Sequence, residues 1–189
     1  MPGILLIISG PSGVGKTTVC RRLTERLGAF LSVSVTIRKR RDNEVHGRDY
    51  YFISVEEFER RLADGRCLEH AKVYGGNYYG TPAEPVIEAL AAGRVVILEI
   101  EIEGTIQVKR RFPEAVGIYI LAPTAEDQTR RLVGRQKDTP EAIAERLSKA
   151  DGEIRYAQEC GAYDYFLINH DVEETVEAIV TIVQEKQSS

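Results

Sequence analysis

The 189-residue chain has no excess of positive charge: 25 lysines and arginines stand against 29 aspartates and glutamates, a net charge of −4. A weakly acidic chain is poorly suited to wrapping nucleic acid or coating an anionic membrane, so neither is expected as a partner. Cysteine is sparse. Cys20, Cys67 and Cys160 lie far apart, no pair has metal-ligand spacing, and the odd count argues against a disulfide framework. Reduced thiols in a cytoplasmic protein are the expectation. Long apolar runs are also missing. The run within MPGILLIISG spans about six residues and follows no basic leader, which is too short for a signal peptide or a membrane span. Neither an internal repeat nor a low-complexity segment occurs. What is present suits one domain with small inserted lobes: 43% apolar residues for a core and 29% charged residues for a surface.

Hydrophobic patterning predicts an α/β fold. Ile4 to Ile8, Val95 to Leu98, Ala115 to Leu121 and Tyr165 to Ile168 are short, nearly continuous apolar runs, as strands buried on both faces require. Helical spacing marks Thr17 to Leu27, stopped by Gly28, and Ala125 to Val133, Pro140 to Cys160 and Val172 to Glu185. Pro140 suits a first helical position, with Thr139 as its N-cap. Strands alternating with helices imply a parallel sheet covered on both faces. Residues 34–92 differ in character and are expected to form an inserted lobe. Leu31 to Val35 alternates like a strand, Tyr50 to Ile53 is a second candidate, Val55 to Ala63 reads as a short helix, and Val73 to Gly80 as loop or hairpin. The tail from Gln184 to Ser189 is expected to fray.

Gly10-Pro11-Ser12-Gly13-Val14-Gly15-Lys16-Thr17, followed by Thr18, matches G-x-x-x-x-G-K-[ST] between a predicted strand and a predicted helix. Glycines let the backbone curl so that several N–H groups point at one anion, and the helix N-terminus adds partial positive charge. Lys16 supplies a full charge to the outer phosphates, and the Thr17 hydroxyl can hold Mg2+ beside them. The motif indicates nucleoside-triphosphate binding. It does not specify a reaction, since ATPases, GTPases and many kinases share it.

Residues 34–50 concentrate cations. Arg38 and Arg41 lie three apart in a turn-rich stretch where two guanidiniums can converge on one phosphate, with Tyr50 as a neutral donor. A solvated basic loop is the plain alternative. Glu99, Glu101 and Glu103 follow the second buried strand at spacings of two, which sets them on one face if the strand continues. At the carboxyl end of a parallel strand they lie at the ligand crevice, where one could hold Mg2+ through water and another could touch a bound ligand.

Together, the phosphate loop, the Arg38/Arg41/Glu44/Tyr50 pattern, the Gly76-Asn77-Tyr78-Tyr79-Gly80-Thr81 segment and the Arg131, Arg135, Arg146-Leu147 segment closely resemble the guanylate kinase family, in order and spacing, over nearly the whole chain. The resemblance implies a P-loop kinase fold with a core (1–33, 93–124, 150–189), a GMP-binding lobe (34–92) and a lid (125–149). It implies transfer of a phosphoryl group from ATP to GMP, and to dGMP, with Mg2+, in purine nucleotide metabolism. Arg38, Arg41, Tyr50 and Tyr79 would hold the GMP phosphate, with Glu44 and Glu101 also at the acceptor site, and Ser34, Glu69 and Thr81 would read guanine. Residue chemistry agrees for Glu69: the pairing edge of guanine offers a ring N–H and an exocyclic amine side by side, which one carboxylate can accept together, whereas adenine offers no such pair. Arg131, Arg135 and Arg146 look like lid arginines that complete the site after both substrates bind, with Gln136-Lys137-Asp138 as the lid tip. Asn169 matches a position near the adenine of ATP. Lys16, Arg38, Arg135 and Arg146 would act directly in transfer, and Arg131 on ATP.

The chain departs from the family pattern at several positions. Glu101 stands where aspartate is expected and Glu103 where glutamine is usual. Ile37 replaces threonine, Lys39, Arg40 and Asn43 alter the loop, and His170 replaces an acid. Two rival readings follow: a kinase for another monophosphate or a phosphorylated small molecule, and a binding module of the same fold that binds phosphorylated proteins without catalysis. The intact Lys16 and Thr17 oppose the second.

Overall fold

The computed structural model describes residues 3–73, 76–134 and 140–188. Strands β1 (Ile4–Ser9), β2 (Phe30–Leu31), β7 (Val95–Glu99), β8 (Val116–Leu121) and β9 (Tyr165–Ile168) form one sheet in the order β2-β7-β1-β8-β9, every neighbouring pair parallel. Successive side chains of a strand face opposite sides, and here both sides are covered. Leu6, Ile8, Ile97 and Ile118 pack beneath α1 (Lys16–Leu27) and α7 (Val172–Ser188). Leu5, Ile7, Val96 and Leu98 face α3 (Ala83–Ala91) and α4 (Ile102–Arg111). This double burial is why the strand sequences are continuously apolar instead of alternating.

A second, four-stranded sheet, β4-β3-β6-β5, is built from β3 (Val35–Thr36), β4 (Tyr51–Phe52), β5 (Cys67–Val73) and β6 (Asn77–Pro82). The β5–β6 and β3–β6 pairs are antiparallel, and β3 runs parallel to β4. Helix α2 (Val55–Ala63) covers it, with Phe58 against Val35 and Cys67. Ser54 caps this helix by accepting a hydrogen bond from the Glu57 amide at 3.2 Å, and Glu56 and Glu57 favour its positive end. Helices α5 (Ala125–Gly134) and α6 (Pro140–Glu159) complete the chain. Thr139 and the segment Gln136-Lys137-Asp138 lie outside the described residues.

Four sequence expectations change. The alternating stretch 31–35 is not one strand: Leu31 ends β2 in the core sheet and Val35 begins β3 in the other, so its residues serve two sheets. β7 stops at Glu99, and Ile102 already belongs to α4, so Glu99, Glu101 and Glu103 do not share a strand face. Ile100 and Ile102 are both buried, but in separate clusters. Helices α3 and α4 stand where patterning suggested none. Pro85 sits in the first turn of α3, where a missing N–H breaks no helical bond. The C-terminal helix continues to Ser188 instead of fraying after Gln184.

Candidate active site

The phosphate loop turns between β1 and α1 at the carboxyl end of the sheet, where ligands of parallel sheets bind. Gly10 and Gly15 have φ of 144° and 99°, outside the range of ordinary side chains. A Cβ on Gly10 would also overlap the Ile120 carbonyl of the neighbouring strand. Lys16 folds back over the loop, donating from Nζ to the carbonyls of Gly10 and, at 3.1 Å, Pro11. Gly15 accepts from the amides of Thr18 and Val19 and so starts α1.

The loop is braced from behind. Gln128 and Arg131, three apart on one face of α5, donate to the Ser12 carbonyl at 2.7 Å and the Val14 carbonyl at 3.2 Å. Arg131 also donates to the Asn169 carbonyl at 2.9 Å. Asn169 is 1% exposed; its amide donates to the Val14 carbonyl at 2.7 Å and accepts from Thr175 at 3.0 Å. Arg146 on α6 reaches the Ser12 hydroxyl at 3.3 Å. Sequence reading missed Gln128; its signal was a polar residue one turn before Arg131 on the helix face that also carries Leu132 toward the core.

Opposite the loop, Arg38 is held in a fixed pose. Its Nε donates to the Tyr79 hydroxyl at 3.0 Å and its Nη2 to Glu44 at 2.7 Å, while its guanidinium lies over the Tyr50 ring, 5.4 Å from the centroid. The second oxygen of Glu44 accepts from the Arg41 amide at 2.9 Å. Burial acts to raise the Glu44 carboxyl, but the bonds from Arg38 and Arg41 prevail and hold it below the usual carboxylate range. Burial, followed by the nearby Glu99 charge, pushes the Tyr50 phenol up to about 12, so it remains a neutral donor.

Glu69, on β5, is 4% exposed and accepts a hydrogen bond from Thr81 at 2.6 Å. Burial, reinforced by Glu101, outweighs that bond and pushes its carboxyl up to about 7. Glu101 is half-buried before α4. Burial raises its carboxyl first, Lys16 opposes this, and Glu153 from α6 adds to it.

Ser12, Lys16, Thr17, Ser34, Arg38, Arg41, Glu44, Tyr50, Glu69, Tyr79, Glu99, Glu101 and Arg146 line one cleft of about 370 Å³, with Asn77 and Glu153 also in its wall. Thr81 stands behind Glu69, and Arg131 and Asn169 stand behind the loop. Thr18 is exposed on α1, and Glu103 is exposed on the first turn of α4. Arg135 lies outside the described residues. A wider groove between α1 and α7 is walled by surface ion pairs such as Arg22–Glu173 and Arg26–Glu177 and carries no convergent chemistry.

Thr17 donates its hydroxyl to Glu99 at 2.8 Å. This pair offers hard oxygen donors, which suit Mg2+. Among the described residues no group of three or more His, Cys, Asp or Glu could hold a metal. The two oxygen donors of Thr17 and Glu99 suit an ion whose remaining oxygen ligands come from phosphates.

The family model described as guanylate kinase matches residues 3–186. The chain belongs to the guanylate kinase family. It is 44% identical over 181 residues to a guanylate kinase from Clostridium acetobutylicum, covering 96% of this chain and 85% of that one. It is 46% identical over 183 residues to one from Thermosynechococcus vestitus, covering 96% and 94%. A crystal structure of guanylate kinase from Anaplasma phagocytophilum superposes with a TM-score of 0.80 at 35% identity, covering all of this chain and 88% of that one. The fold is that of a P-loop kinase, and family membership makes the protein a nucleotide-binding transferase. Among the described residues no helix is long and apolar enough to cross a membrane.

Proposed function

We propose that the protein transfers the γ-phosphoryl group of ATP to GMP, and also to dGMP, by direct in-line displacement assisted by Mg2+, as part of cytoplasmic purine nucleotide metabolism. One observation carries this reading: a phosphate loop, an arginine–tyrosine cradle and a buried carboxylate line the same cleft.

In this reading the division of labour follows the two sheets. The core, taken as 1–33, 93–124 and 150–189, holds ATP through the loop amides and Lys16, whose ammonium leaves the Gly10 and Pro11 carbonyls for the outer phosphates. The lobe, 34–92, holds GMP. Arg38, Arg41, Tyr50 and Tyr79 bind its phosphate, while Ser34 and Glu69 meet the base. Glu44 keeps Arg38 aimed, and Thr81 keeps Glu69 aimed. The guanine ring N–H and amine donate to the Glu69 carboxylate, which the bound base keeps ionised. Glu101 contacts the nucleoside. Asn169 and Arg131 shape the ATP side by fixing the Val14 carbonyl.

Thr17 and Glu99 would hold Mg2+, which when bound neutralises charge on the outer phosphates. An oxygen of the GMP phosphate forms a bond to the γ-phosphorus as the bond to the β–γ bridging oxygen breaks, and ADP departs with that electron pair. The acceptor oxygen is already anionic, so no side chain need act as a base. Arg146 and Arg135, from the 125–149 lid, bring positive charge to the transferring group and help exclude water, the rival acceptor.

The test is steady-state ADP release by purified protein with ATP–Mg2+ and GMP, dGMP, AMP, CMP or UMP offered separately. Turnover with GMP and dGMP alone is expected. Turnover with another monophosphate would overturn the base assignment, and no turnover with any would overturn the kinase reading.

A further inference from the structure

We infer that Gly104, on the first turn of α4, is a positioning residue for base specificity: its missing side chain leaves the space in which the Glu69 carboxylate stands. The inference rests on Glu69 being the guanine acceptor. A Cβ built on Gly104 would overlap Glu69 Oε2 and lie 3.0 Å from Cδ and 3.3 Å from Cγ; its three nearest neighbours all belong to that one side chain. Backbone conformation gives no reason for glycine here, because Gly104 is helical and is not among the residues with positive φ. Glycine in a helix is disfavoured relative to alanine. The close approach of Glu69 is what the position requires.

The strand carrying Glu69 cannot step aside to relieve an overlap. β5 is an edge strand of its sheet, and α4 supplies the hydrogen bonds that a further strand would have made. Gln107 accepts from the His70 amide at 3.2 Å and donates to the His70 carbonyl at 2.7 Å. Arg111 donates to the carbonyls of Cys67 at 2.9 Å and Leu68 at 3.1 Å. Positions 104, 107 and 111 recur at helical spacing and so share the face turned to β5. The strand is pinned on both sides of Glu69, and a methyl at 104 has to rotate the carboxylate away from Thr81. The core helix, more than the lobe that contains Glu69, then sets where the base is read.

The experiment compares kcat/KM for GMP and for IMP, which lacks the exocyclic amine. Gly104→Ala is expected to lower kcat/KM for GMP about tenfold or more, mainly through KM, and to reduce the GMP-over-IMP preference, because the acceptor pair no longer meets both donors. The KM for ATP is expected to stay within about twofold. In a Glu69→Ala background the same substitution is expected to change nothing further. If Gly104→Ala alone fails to fold, folding of the Glu69→Ala/Gly104→Ala protein supports the inference, and failure of both overturns it. An undiminished GMP-over-IMP preference in Gly104→Ala, alongside its loss in Glu69→Gln, overturns the seat and leaves the Glu69 reading standing. An unchanged preference in Glu69→Gln overturns that reading and the seat with it. Equal losses from Gly104→Ala with and without Glu69 also overturn the seat.

Discussion

The two halves of the cleft are made differently. The phosphate-loop side is built from backbone: eight consecutive residues turn on glycines, and side chains from α5, α6 and Asn169 brace the loop from outside. The opposite side is built from side chains drawn from several separated segments, with Arg38, Glu44, Tyr50, Glu69 and Tyr79 meeting only when the small sheet forms. Backbone amides bind any phosphate in much the same way, so the first half can be local and general. Distinguishing one base from another needs directed, buried donors and acceptors, so the second half depends on tertiary contacts.

The strongest way to break this comparison is Lys16→Ala. Turnover is expected to fall by about a thousandfold or more, because the loop loses its one full charge toward the transferring group. The check is ADP release at saturating substrates; a clean preparation that stays active would remove the loop from the mechanism. Next, Arg41→Ala is expected to raise the KM for GMP roughly thirtyfold while leaving that for ATP within about twofold, in keeping with loss of a charged contact to one phosphate. Equal rises for both substrates would erase the division between the halves.

A smaller effect concerns Glu69, whose carboxyl burial pushes up to about 7. Guanine needs the ionised form, so GMP binding should weaken about tenfold from pH 8 to pH 6 through this group, as its ionised fraction drops. Calorimetric titration of Glu69→Gln should lack that component. The same shift acts on stability with the opposite sense. Between the ordinary glutamate value and about 7 the folded protein binds more protons than the unfolded chain, so without ligand its stability declines as pH rises through that window. Glu69→Gln should flatten this slope in thermal melts, and an unchanged slope would contradict the burial of the carboxylate.

The smallest effect is expected on the braced side. Asn169→Ala removes the buried amide between Val14 and Thr175 and should lower stability by about 2 kcal/mol, with a few-fold rise in the KM for ATP and none for GMP. A rise confined to GMP would show that the loop and the lobe are not independent.

Much of this architecture was legible in the residues. The four apolar runs became parallel strands, and Val55 to Ala63 became α2, because each carries its own periodicity and Ser54 its own cap. The motif from Gly10 to Thr17 needed no distant partner to be recognised. Legibility failed where chain neighbours part company. Leu31 and Val35 lie four residues apart yet enter different sheets, and an alternating pattern contains nothing that marks the break. Glu99 and Glu101 read as one strand face, but α4 begins immediately after them, and Glu101 turns into the cleft while Glu103 faces solvent. Gln107 and Gly104 carry no signal as single letters, since each acts on a residue far away in the chain, Gln107 on His70 and Gly104 on Glu69, and the helical spacing of Gln128 to Arg131 does not name its distant partner Ser12.

The amino-acid sequence by itself determined the parallel core, the position of the phosphate loop and the residue types able to bind two phosphates, because periodicity, glycine conformation and charge act over a few residues. Tertiary structure alone decided that Glu69 is desolvated against Gly104, that Arg38 is locked between Glu44 and Tyr79, and that Asn169 holds the loop from behind. Burial and hydrogen-bond geometry belong to pairs of residues, and those pairs exist only once the two sheets have closed around the cleft.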